Sequence, residues 1–112
     1  MAYVYIIKCN DGSYYTGVAT DIKRRIKEHY YKLKNCAKYT RAREVIELSA
    51  VWEAENLSTA GKLEYYIKKR LTHNEKKMLI EKNDLFSQII KDENLGFSYT
   101  RISDISLDSC IN

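Results

Sequence analysis

The chain has 112 residues, which suffices for one modest hydrophobic core and indicates a single domain. Lys and Arg number 19 against 15 Asp and Glu, and the net charge of +4 is compatible with a polyanionic partner without requiring one. The 3 cysteines are widely separated, which argues against a zinc-ligand cluster and indicates free thiols in a reducing compartment. No leader-like start and no membrane-length apolar run is visible, so we expect a cytoplasmic protein.

The N-terminal third predicts a β-hairpin. Two Tyr- and Ile-rich runs flank Asn-Asp-Gly at residues 10–12, a strong hairpin signal. A two-residue loop would put Tyr5 and Tyr15 on opposite faces, since side chains alternate along a strand. A three-residue loop, with its glycine in the left-handed region, pairs Ile7 with Tyr15. Tyr5, Tyr15 and Gly17 then share one face, and we predict this second register.

A basic helix follows the hairpin. Thr20 or Asp21 can cap its first turn, because each offers a side-chain oxygen to free backbone N–H groups. Four apolar residues at helical spacing predict its buried stripe: Ile22, Ile26, Tyr30 and Leu33. Arg25 and His29 lie four residues apart on one flank of that stripe, where they can face a cleft between helix and sheet. The alternative is an ordinary solvated basic helix, since Lys and Arg recur from residue 23 to 27.

A polar connector at residues 32–38 leads to a segment in which aromatic and basic residues alternate. Lys38, Arg41 and Arg43 suit the binding of phosphates, and Tyr39 suits stacking on a base. Grooves for single-stranded nucleic acid combine these features. The alternative interpretation is a surface loop with one anchoring tyrosine.

Residues 45–54 are rich in β-branched and other apolar residues and predict a third strand. We expect it to pair with the hairpin in a small, mainly antiparallel three-stranded sheet flanked by helices. A further helix follows, with Ser58 as its N-cap and its end near Leu71. The fold class is therefore mixed α/β, in the order β-β-α-β-α-α with an additional C-terminal helix.

The helix after the third strand carries one acidic residue beside its apolar face. That face is formed by Ala60, Leu63, Ile67 and Leu71. Glu64 lies at its edge, and a partly desolvated carboxylate requires a cationic partner. From the residues alone, the partner is either a basic side chain or a divalent metal ion. The basic candidates are Arg25, Lys68 and Lys76.

The remaining sequence predicts short helices. Thr72 and Glu75 have capping-box spacing for a helix at residues 73–82, which turns three apolar residues inward: Met78, Leu79 and Ile80. Asn83 or Asp84 caps a further amphipathic helix, whose apolar positions are Leu85, Phe86, Ile89 and Ile90.

Gly96 is expected to close this last helix. Residues 97–102 are a weaker candidate for one more short edge strand. Residues 103–112 are expected to fray, as chain termini commonly do.

The N-terminal pattern resembles the GIY-YIG nuclease superfamily. Residues 4–6 (Val-Tyr-Ile) stand where that family has its GIY triplet, and residues 15–17 (Tyr-Thr-Gly) stand for YIG. Arg25 follows the glycine by eight residues, and His29 follows one turn later. The Lys-Tyr-Thr-Arg sequence at residues 38–41 and the later glutamate helix are similar to the small stand-alone bacterial YhbQ-like subfamily.

The resemblance covers about residues 2–80 of the chain. It implies a nuclease-like domain at residues 1–82, with residues 83–112 as a C-terminal helical extension and tail packed on the same domain. It also implies a metal-dependent endonuclease that hydrolyses DNA, in which Glu64 binds one Mg²⁺ or Mn²⁺ ion.

The resemblance further implies five catalytic residues: Tyr5, Tyr15, Arg25, His29 and Lys76. Arg25 suits the charge that develops on the phosphate, because its guanidinium is forked and permanently charged. Tyr15 is the candidate for orienting or deprotonating the attacking water, and Tyr5 for supporting it by hydrogen bonding. His29 can share the proton or position the tyrosine. Each of these residues also has an ordinary structural role available to it.

Three positions depart from the family pattern or match it loosely. The assignment of Lys76 has two alternatives, Lys77 and Asn74, because the preceding region holds an extra residue. The first glycine of the family is Val4 here, and its second isoleucine is Thr16. Both shape packing rather than chemistry, so neither departure threatens catalysis.

The expected substrate is single-stranded or branched DNA, since neither a zinc-ligand cluster nor a helix-turn-helix is visible. No membrane partner and no small-molecule cofactor is expected. The alternative function is a nucleic-acid-binding module of the same fold that does not cut. A third and weaker hypothesis is a protein-interaction domain that docks through residues 85–90.

Overall fold

The computed structural model describes residues 1–92, 95 and 99–112. In chain order the elements are β1 (Ala2–Cys9), β2 (Tyr14–Ala19), α1 (Ile22–Tyr30), α2 (Lys38–Arg41), β3 (Val45–Ala54), α3 (Leu57–Arg70), α4 (His73–Glu81), α5 (Phe86–Ile89), β4 (Tyr99–Arg101) and α6 (Leu107–Ile111). A 3₁₀ turn at Asn83–Leu85 leads into α5. Among these residues no helix has both the length and the apolar character needed to cross a membrane.

The strands form one antiparallel sheet in the order β2-β1-β3-β4. The mixed α/β class is confirmed, and β3 has the predicted bounds. The prediction of three strands is corrected to four, because β4 pairs with the end of β3. There the Arg101 guanidinium lies 5.1 Å from the Trp52 ring centroid and donates to the Ile80 carbonyl over 3.0 Å. These contacts tie a strand of only 3 residues to β3 and α4.

The hairpin has the predicted three-residue loop. Gly12 has a φ of +83°, the left-handed conformation that glycine adopts without steric cost. In the resulting register Tyr15 lies opposite Ile7, and Gly17 lies opposite Tyr5. The predicted face that contains both tyrosines is therefore confirmed.

Alternate side chains of β1 enter two separate cores. Val4 and Ile6 pack with the apolar face of α3, whereas Tyr5 and Ile7 pack with α1. Because neighbouring strand residues point to opposite faces, α1 and α3 lie on opposite sides of the sheet. The predicted apolar face of α3 is buried throughout: Ala60, Leu63, Ile67 and Leu71.

Helix α1 begins as predicted but ends early. Asp21 caps it by accepting the Arg24 backbone N–H over 3.1 Å, and the last helical residue is Tyr30. Lys32 then adopts a left-handed φ of 55°, which turns the chain away from the helix axis. Leu33 is consequently 48% exposed, and its predicted place in the buried stripe is wrong.

Two further details of the helices differ from the prediction. Asn56, and not Ser58, is the N-cap of α3, because its side chain accepts the Thr59 N–H over 2.8 Å and starts the helix earlier. Helix α4 has the predicted capping box and buries Leu79 completely. Met78 is 46% exposed, since adjacent helical residues lie about 100° apart around the axis.

The helix predicted to follow residue 82 is shorter than expected. The 3₁₀ turn and α5 together replace it, and its apolar residues Ile89 and Ile90 are buried. The expected closing residue Gly96 and the start of the predicted edge strand at Phe97 lie outside the described residues.

Residues 107–111 form helix α6, so the expected fraying of residues 103–112 is wrong. Ser106 and Ser109 form a reciprocal capping box, and Cys110 is fully buried. The helix packs against α1, where the Tyr31 hydroxyl donates to the Ile111 carbonyl over 3.1 Å. So short a helix is stable only on a surface that another element provides, which local sequence does not reveal. The domain division at residue 82 stays a prediction.

We expect Cys110→Asp to lower the free energy of unfolding by about 3 kcal/mol, because a carboxylate must lose its water where α6 packs against α1. Urea denaturation followed by Trp52 fluorescence measures the change. Ser103→Asp adds the same charge at an exposed position of the same segment and should stay within about 0.5 kcal/mol of the parent. Equal losses in the two variants would contradict the packing of α6.

Candidate active site

The Tyr5 side chain lies across the backbone of Gly17, its neighbour on β2. A methyl group on Gly17 would stand 2.4 Å from the Tyr5 hydroxyl oxygen and 2.6 Å from its Cζ atom, far inside van der Waals contact. Glycine is therefore required here for close approach. It lets the phenol extend beneath β2 toward the outer edge of the sheet.

Tyr5, His29 and Thr40 form a buried chain of hydrogen-bonding side chains. His29 Nε2 lies 2.7 Å from the Tyr5 hydroxyl oxygen, and His29 Nδ1 lies 2.7 Å from Thr40 Oγ1. Thr40 Oγ1 in turn donates to the Ala37 carbonyl over 3.2 Å. All three side chains belong to fully buried residues, and the chain connects β1, α1 and α2.

Burial keeps both ends of the Tyr5–His29 pair uncharged. It lowers the pKa of His29 to about 4, and the nearby Arg25 cation acts in the same direction. Burial also raises the pKa of Tyr5 well above its usual range, although Arg25 opposes this shift. At neutral pH the pair is thus a neutral phenol bonded to a neutral imidazole.

Arg25 is fixed on the open side of this pair. Its Nη1 donates to the Glu28 carboxylate over 3.0 Å and to the Asn35 carbonyl over 2.6 Å. Burial favours a lower pKa for Arg25, but the Glu28 hydrogen bond and the neighbouring Tyr5 outweigh it and raise the pKa overall. The Arg25 side chain is 25% exposed and lines a groove of about 320 Å³, so its permanent charge is accessible.

Glu64 and Lys68 extend from α3 toward the same edge. Glu64 Oε2 lies 3.6 Å from Lys68 Nζ, and the Glu64 side chain is 25% exposed. Lys68 Nζ also lies 5.2 Å from the centroid of the Tyr15 ring. After burial and the neighbouring Tyr15, the Glu64 carboxylate also raises the pKa of Tyr5, so its charge acts on the phenol.

Tyr15 lies at the centre of an aromatic cluster. Its ring centroid is 6.4 Å from Tyr5, 5.3 Å from His29 and 5.7 Å from Tyr39. Tyr15 is partly exposed, in contrast to the fully buried Tyr5. It is therefore the phenol of this pair that solvent reaches.

These residues meet although α1 and α3 lie on opposite faces of the sheet. Strand β2 is the edge strand, and α3 contacts it as well as β1. Glu64 and Lys68 reach the edge from one face, while Arg25 and His29 reach it from the other. The Tyr5 phenol interacts with Arg25 and with Glu64, so the edge of β2 brings both sets together.

Lys76 lies near the predicted site on α4. Burial lowers its pKa, and the neighbouring Lys68 lowers it further, which puts the two ammonium groups close together. Lys76 is partly buried, whereas Lys77 and Asn74 are exposed. Of the three candidates, Lys76 is therefore the partly buried one, and its pKa is affected by Lys68; its assignment to the site stays a prediction.

The predicted nucleic-acid-binding residues lie in α2, except Arg43, which follows it. The Arg43 guanidinium lies 3.8 Å from the Tyr39 ring centroid and pairs with Asp11 over 2.9 Å. Tyr39 is thus placed between Tyr15 and Arg43, and a base can stack on it only if Arg43 moves. Lys38 and Arg41 are exposed, and the Arg41 side chain donates to the Lys34 carbonyl over 3.2 Å.

Sequence reasoning did not assign Glu28 or Thr40 to the site. Glu28 follows Arg25 by three residues, a spacing that commonly pairs opposite charges on a helix. This spacing could have predicted the ion pair between them. Thr40 lies inside the basic segment at residues 38–41, and no local pattern indicates that its hydroxyl meets His29. That contact depends on the long-range packing of α2 on α1.

The donor set suits a weakly held divalent ion rather than a closed metal cage. Glu64 is a single, partly exposed carboxylate, and Mg²⁺ retains most of its water ligands when one carboxylate binds it. Within the described part of the chain no group of three or more His, Cys, Asp or Glu side chains forms a metal cluster.

A second cavity, of about 820 Å³, is larger than the groove at Arg25 and lies beside α3, next to Asp92 and Leu95. None of the predicted site residues lines it.

Comparison with known proteins identifies the family. The model of the GIY-YIG catalytic domain matches residues 1–78. The chain belongs to the GIY-YIG family. The match extends from β1 into α4, so β4 and α6 lie outside the part of the chain that defines the GIY-YIG domain.

Relatives of this GIY-YIG protein are small. It is 46% identical over 95 residues to the UPF0213 protein CPE1444 of Clostridium perfringens, a match that spans 84% of this chain and 92% of the relative. It is 44% identical over 78 residues to the UPF0213 protein BH0048 of Halalkalibacterium halodurans, a match that spans 70% of this chain and 80% of the relative. The solution NMR structure of BH0048 aligns with a TM-score of 0.43 at 39% identity over 72% of this chain and 84% of that chain.

We expect Gly17→Ala to destabilise the protein by about 1–3 kcal/mol, because the new methyl group must displace the Tyr5 ring and its bond to His29. Gly61→Ala is the matched control, since a methyl group there meets no atom within 4 Å. Removing a helical glycine should stabilise α3 by about 0.5–1 kcal/mol. Urea denaturation compares the two, and a stable Gly17→Ala variant would contradict the close approach.

We expect stability to fall as the pH drops from about 6.5 to 4, since burial lowers the pKa of His29 to about 4. Between these two pH values the unfolded chain binds a proton at His29 that the folded chain does not bind. The stabilisation is therefore fully present above about pH 6.5 and declines as the pH falls toward 4. NMR titration of His29, with His73→Gln to simplify the spectrum, measures the pKa directly. A His29→Asn variant should lose less stability across the window. An ordinary pKa for His29 would contradict its burial.

Proposed function

We propose that this protein is a metal-dependent endonuclease that hydrolyses phosphodiester bonds in single-stranded or branched DNA. Membership of the GIY-YIG family supports the nuclease class. One observation carries the proposal further. Tyr15, Arg25 and Glu64 come from three separate elements: the Tyr15 ring centroid lies 6.4 Å from that of Tyr5, and the charges of Arg25 and Glu64 both shift the pKa of the Tyr5 phenol.

Arg25 is assigned to the scissile phosphate. Negative charge develops on the phosphate oxygens during attack, and preorganised donors stabilise it most effectively. Glu28 and Asn35 hold one guanidinium nitrogen, which fixes the plane of the group before the substrate arrives. The guanidinium has further N–H donors, and its fork suits two oxygens of one phosphate.

Glu64 is assigned to the metal ion. When bound, Mg²⁺ or Mn²⁺ polarises the phosphate and lowers the pKa of a coordinated water. Glu64 would then give up its pairing with Lys68, which lies 3.6 Å away and beside Tyr15. Lys68 is thereby released to neutralise substrate charge, and Lys76 adds a second ammonium group next to it.

The two tyrosines are assigned different tasks because their exposure differs. Tyr15 is partly exposed and is proposed to orient or deprotonate the attacking water. Tyr5 is fully buried and bonded to His29, so it supports Arg25 and Tyr15 from behind. His29 stays neutral, because burial lowers its pKa to about 4, so it is assigned to positioning Tyr5 through their hydrogen bond rather than to taking up a proton.

The surface around α2 is proposed to bind the DNA strand in the cytoplasm. Lys38 and Arg41 are exposed and suit the phosphate backbone. Arg43 would exchange its Asp11 partner for a phosphate, and the Tyr39 ring would then be open to a base. No small-molecule cofactor is required by this arrangement.

We expect the purified protein to cut labelled single-stranded or flapped DNA with Mg²⁺ or Mn²⁺ and to stop in EDTA. Arg25→Lys and Glu64→Gln should each lower kcat/KM on the order of 100-fold, because the first loses the fork that binds two phosphate oxygens and the second loses the carboxylate charge proposed to hold the metal ion. Gel electrophoresis of end-labelled product measures the rates. Glu55→Gln and Arg70→Lys make the same changes at exposed positions elsewhere and serve as controls.

Cutting that survives both Arg25→Lys and Glu64→Gln would point to a contaminating nuclease and remove the assignment. Salt-sensitive binding without cutting, unchanged by Glu64→Gln, would identify the protein as a nucleic-acid-binding module instead. Intact duplex, single-stranded and flapped DNA in parallel reactions determine the preferred substrate.

A further inference from the structure

The position of one buried proton can be deduced from the partners of Tyr5. The phenol oxygen faces His29 Nε2 at 2.7 Å and interacts with the Arg25 guanidinium. A guanidinium has no acceptor atom, so it cannot take the phenol proton. Because the Tyr5 hydroxyl is fully buried, its proton requires an acceptor, and His29 Nε2 is suitably placed.

The other imidazole nitrogen must then carry the ring proton. His29 is neutral at physiological pH, since burial lowers its pKa to about 4, so only one ring nitrogen is protonated. With Nε2 accepting from Tyr5, Nδ1 donates to Thr40 Oγ1 over 2.7 Å. The Thr40 hydroxyl proton is directed at the Ala37 carbonyl, 3.2 Å away, which leaves the Thr40 oxygen free to accept.

The opposite arrangement satisfies fewer groups. If Nε2 carried the proton, both His29 and Arg25 would donate toward the same phenol oxygen. The buried Tyr5 proton would then lose its acceptor. Leaving a buried donor without a partner costs about 1–3 kcal/mol, so the first arrangement is the more stable.

We propose that Thr40 is a positioning residue that holds His29 as the Nδ1–H tautomer, so that Nε2 accepts the Tyr5 proton. The Tyr5 hydroxyl therefore points toward His29 and presents its oxygen to Arg25. Through this chain, helix α2 fixes the groups behind the scissile phosphate. The effect on catalysis rests on the proposed nuclease function, whereas the tautomer does not.

Thr40→Val tests the tautomer, because valine has nearly the same shape but no acceptor for the Nδ1 proton. ¹⁵N NMR of imidazole-labelled protein distinguishes a bare ring nitrogen from a protonated one in His29, with His73→Gln to simplify the spectrum. We expect Nδ1–H in the parent protein and a shift toward Nε2–H in Thr40→Val. Thr40→Ser retains the oxygen and should keep the parent tautomer.

Thr16→Val is the matched control. Thr16 is a buried threonine on β2 whose Oγ1 has no hydrogen-bond partner among the described residues. Replacing it by valine exchanges the hydroxyl for a methyl group of nearly the same size, and no contact to His29 is broken. We expect the parent tautomer and the parent activity in this variant.

In the cleavage assay Thr40→Val should lower kcat at least about tenfold with little change in KM, because it disturbs proton placement rather than DNA binding. Thr40→Ser should recover most of the rate. An Nε2–H tautomer in the parent protein, or an unchanged tautomer in Thr40→Val, would overturn the proposal. So would a changed tautomer with undiminished kcat. If Thr40→Val fails to fold, the parent spectrum and Thr40→Ala decide the question.

A parent protein that cuts no DNA would remove the proposed function and leave the tautomer to be decided by NMR alone. Active protein with the wrong tautomer would remove the role of Thr40 and leave the nuclease assignment in place. The two failures are therefore distinguishable.

Discussion

The hydrogen bond between the Tyr5 hydroxyl and His29 Nε2 is the constraint on which the site depends. It joins β1 to α1 at 2.7 Å inside a fully buried environment, so neither partner can move without leaving the other unsatisfied. The bond exists because Gly17 has no side chain where the phenol passes. The hairpin register, in turn, is what sets Gly17 opposite Tyr5.

The site lies at an open sheet edge, and this explains how a carboxylate and a guanidinium from opposite faces meet. A site at the centre of the sheet would be divided by the strands themselves. At β2 the sheet ends, so side chains from α1 and α3 can approach each other around the outer strand. The Tyr5 phenol extends to this boundary and is affected by Arg25 and Glu64 together. The edge also remains accessible to a long polymeric substrate, which an enclosed cavity would exclude.

Part of this arrangement was predictable because it is encoded locally. The Asn-Asp-Gly turn determines the register, and helical spacing places Arg25 near His29 and the apolar face of α3 inward. Other features depend on contacts between distant segments. The exposure of Leu33 follows from the backbone of Lys32, and α6 is stable only against α1. The Thr40 contact likewise requires α2 to pack on α1, which no pattern within residues 38–41 reveals.

Helix α1 carries both Arg25 and His29, and elements from three parts of the chain hold it in place. Strand β1 holds it through Tyr5, α2 holds it through Thr40, and α6 packs against it. The last of these lies beyond the residues that match the family model. A chain of 112 residues can build only a modest core, so the apolar contact that α6 adds supports α1 from outside the matched region. The precision of the site is accordingly a property of the whole chain rather than of its motif residues alone.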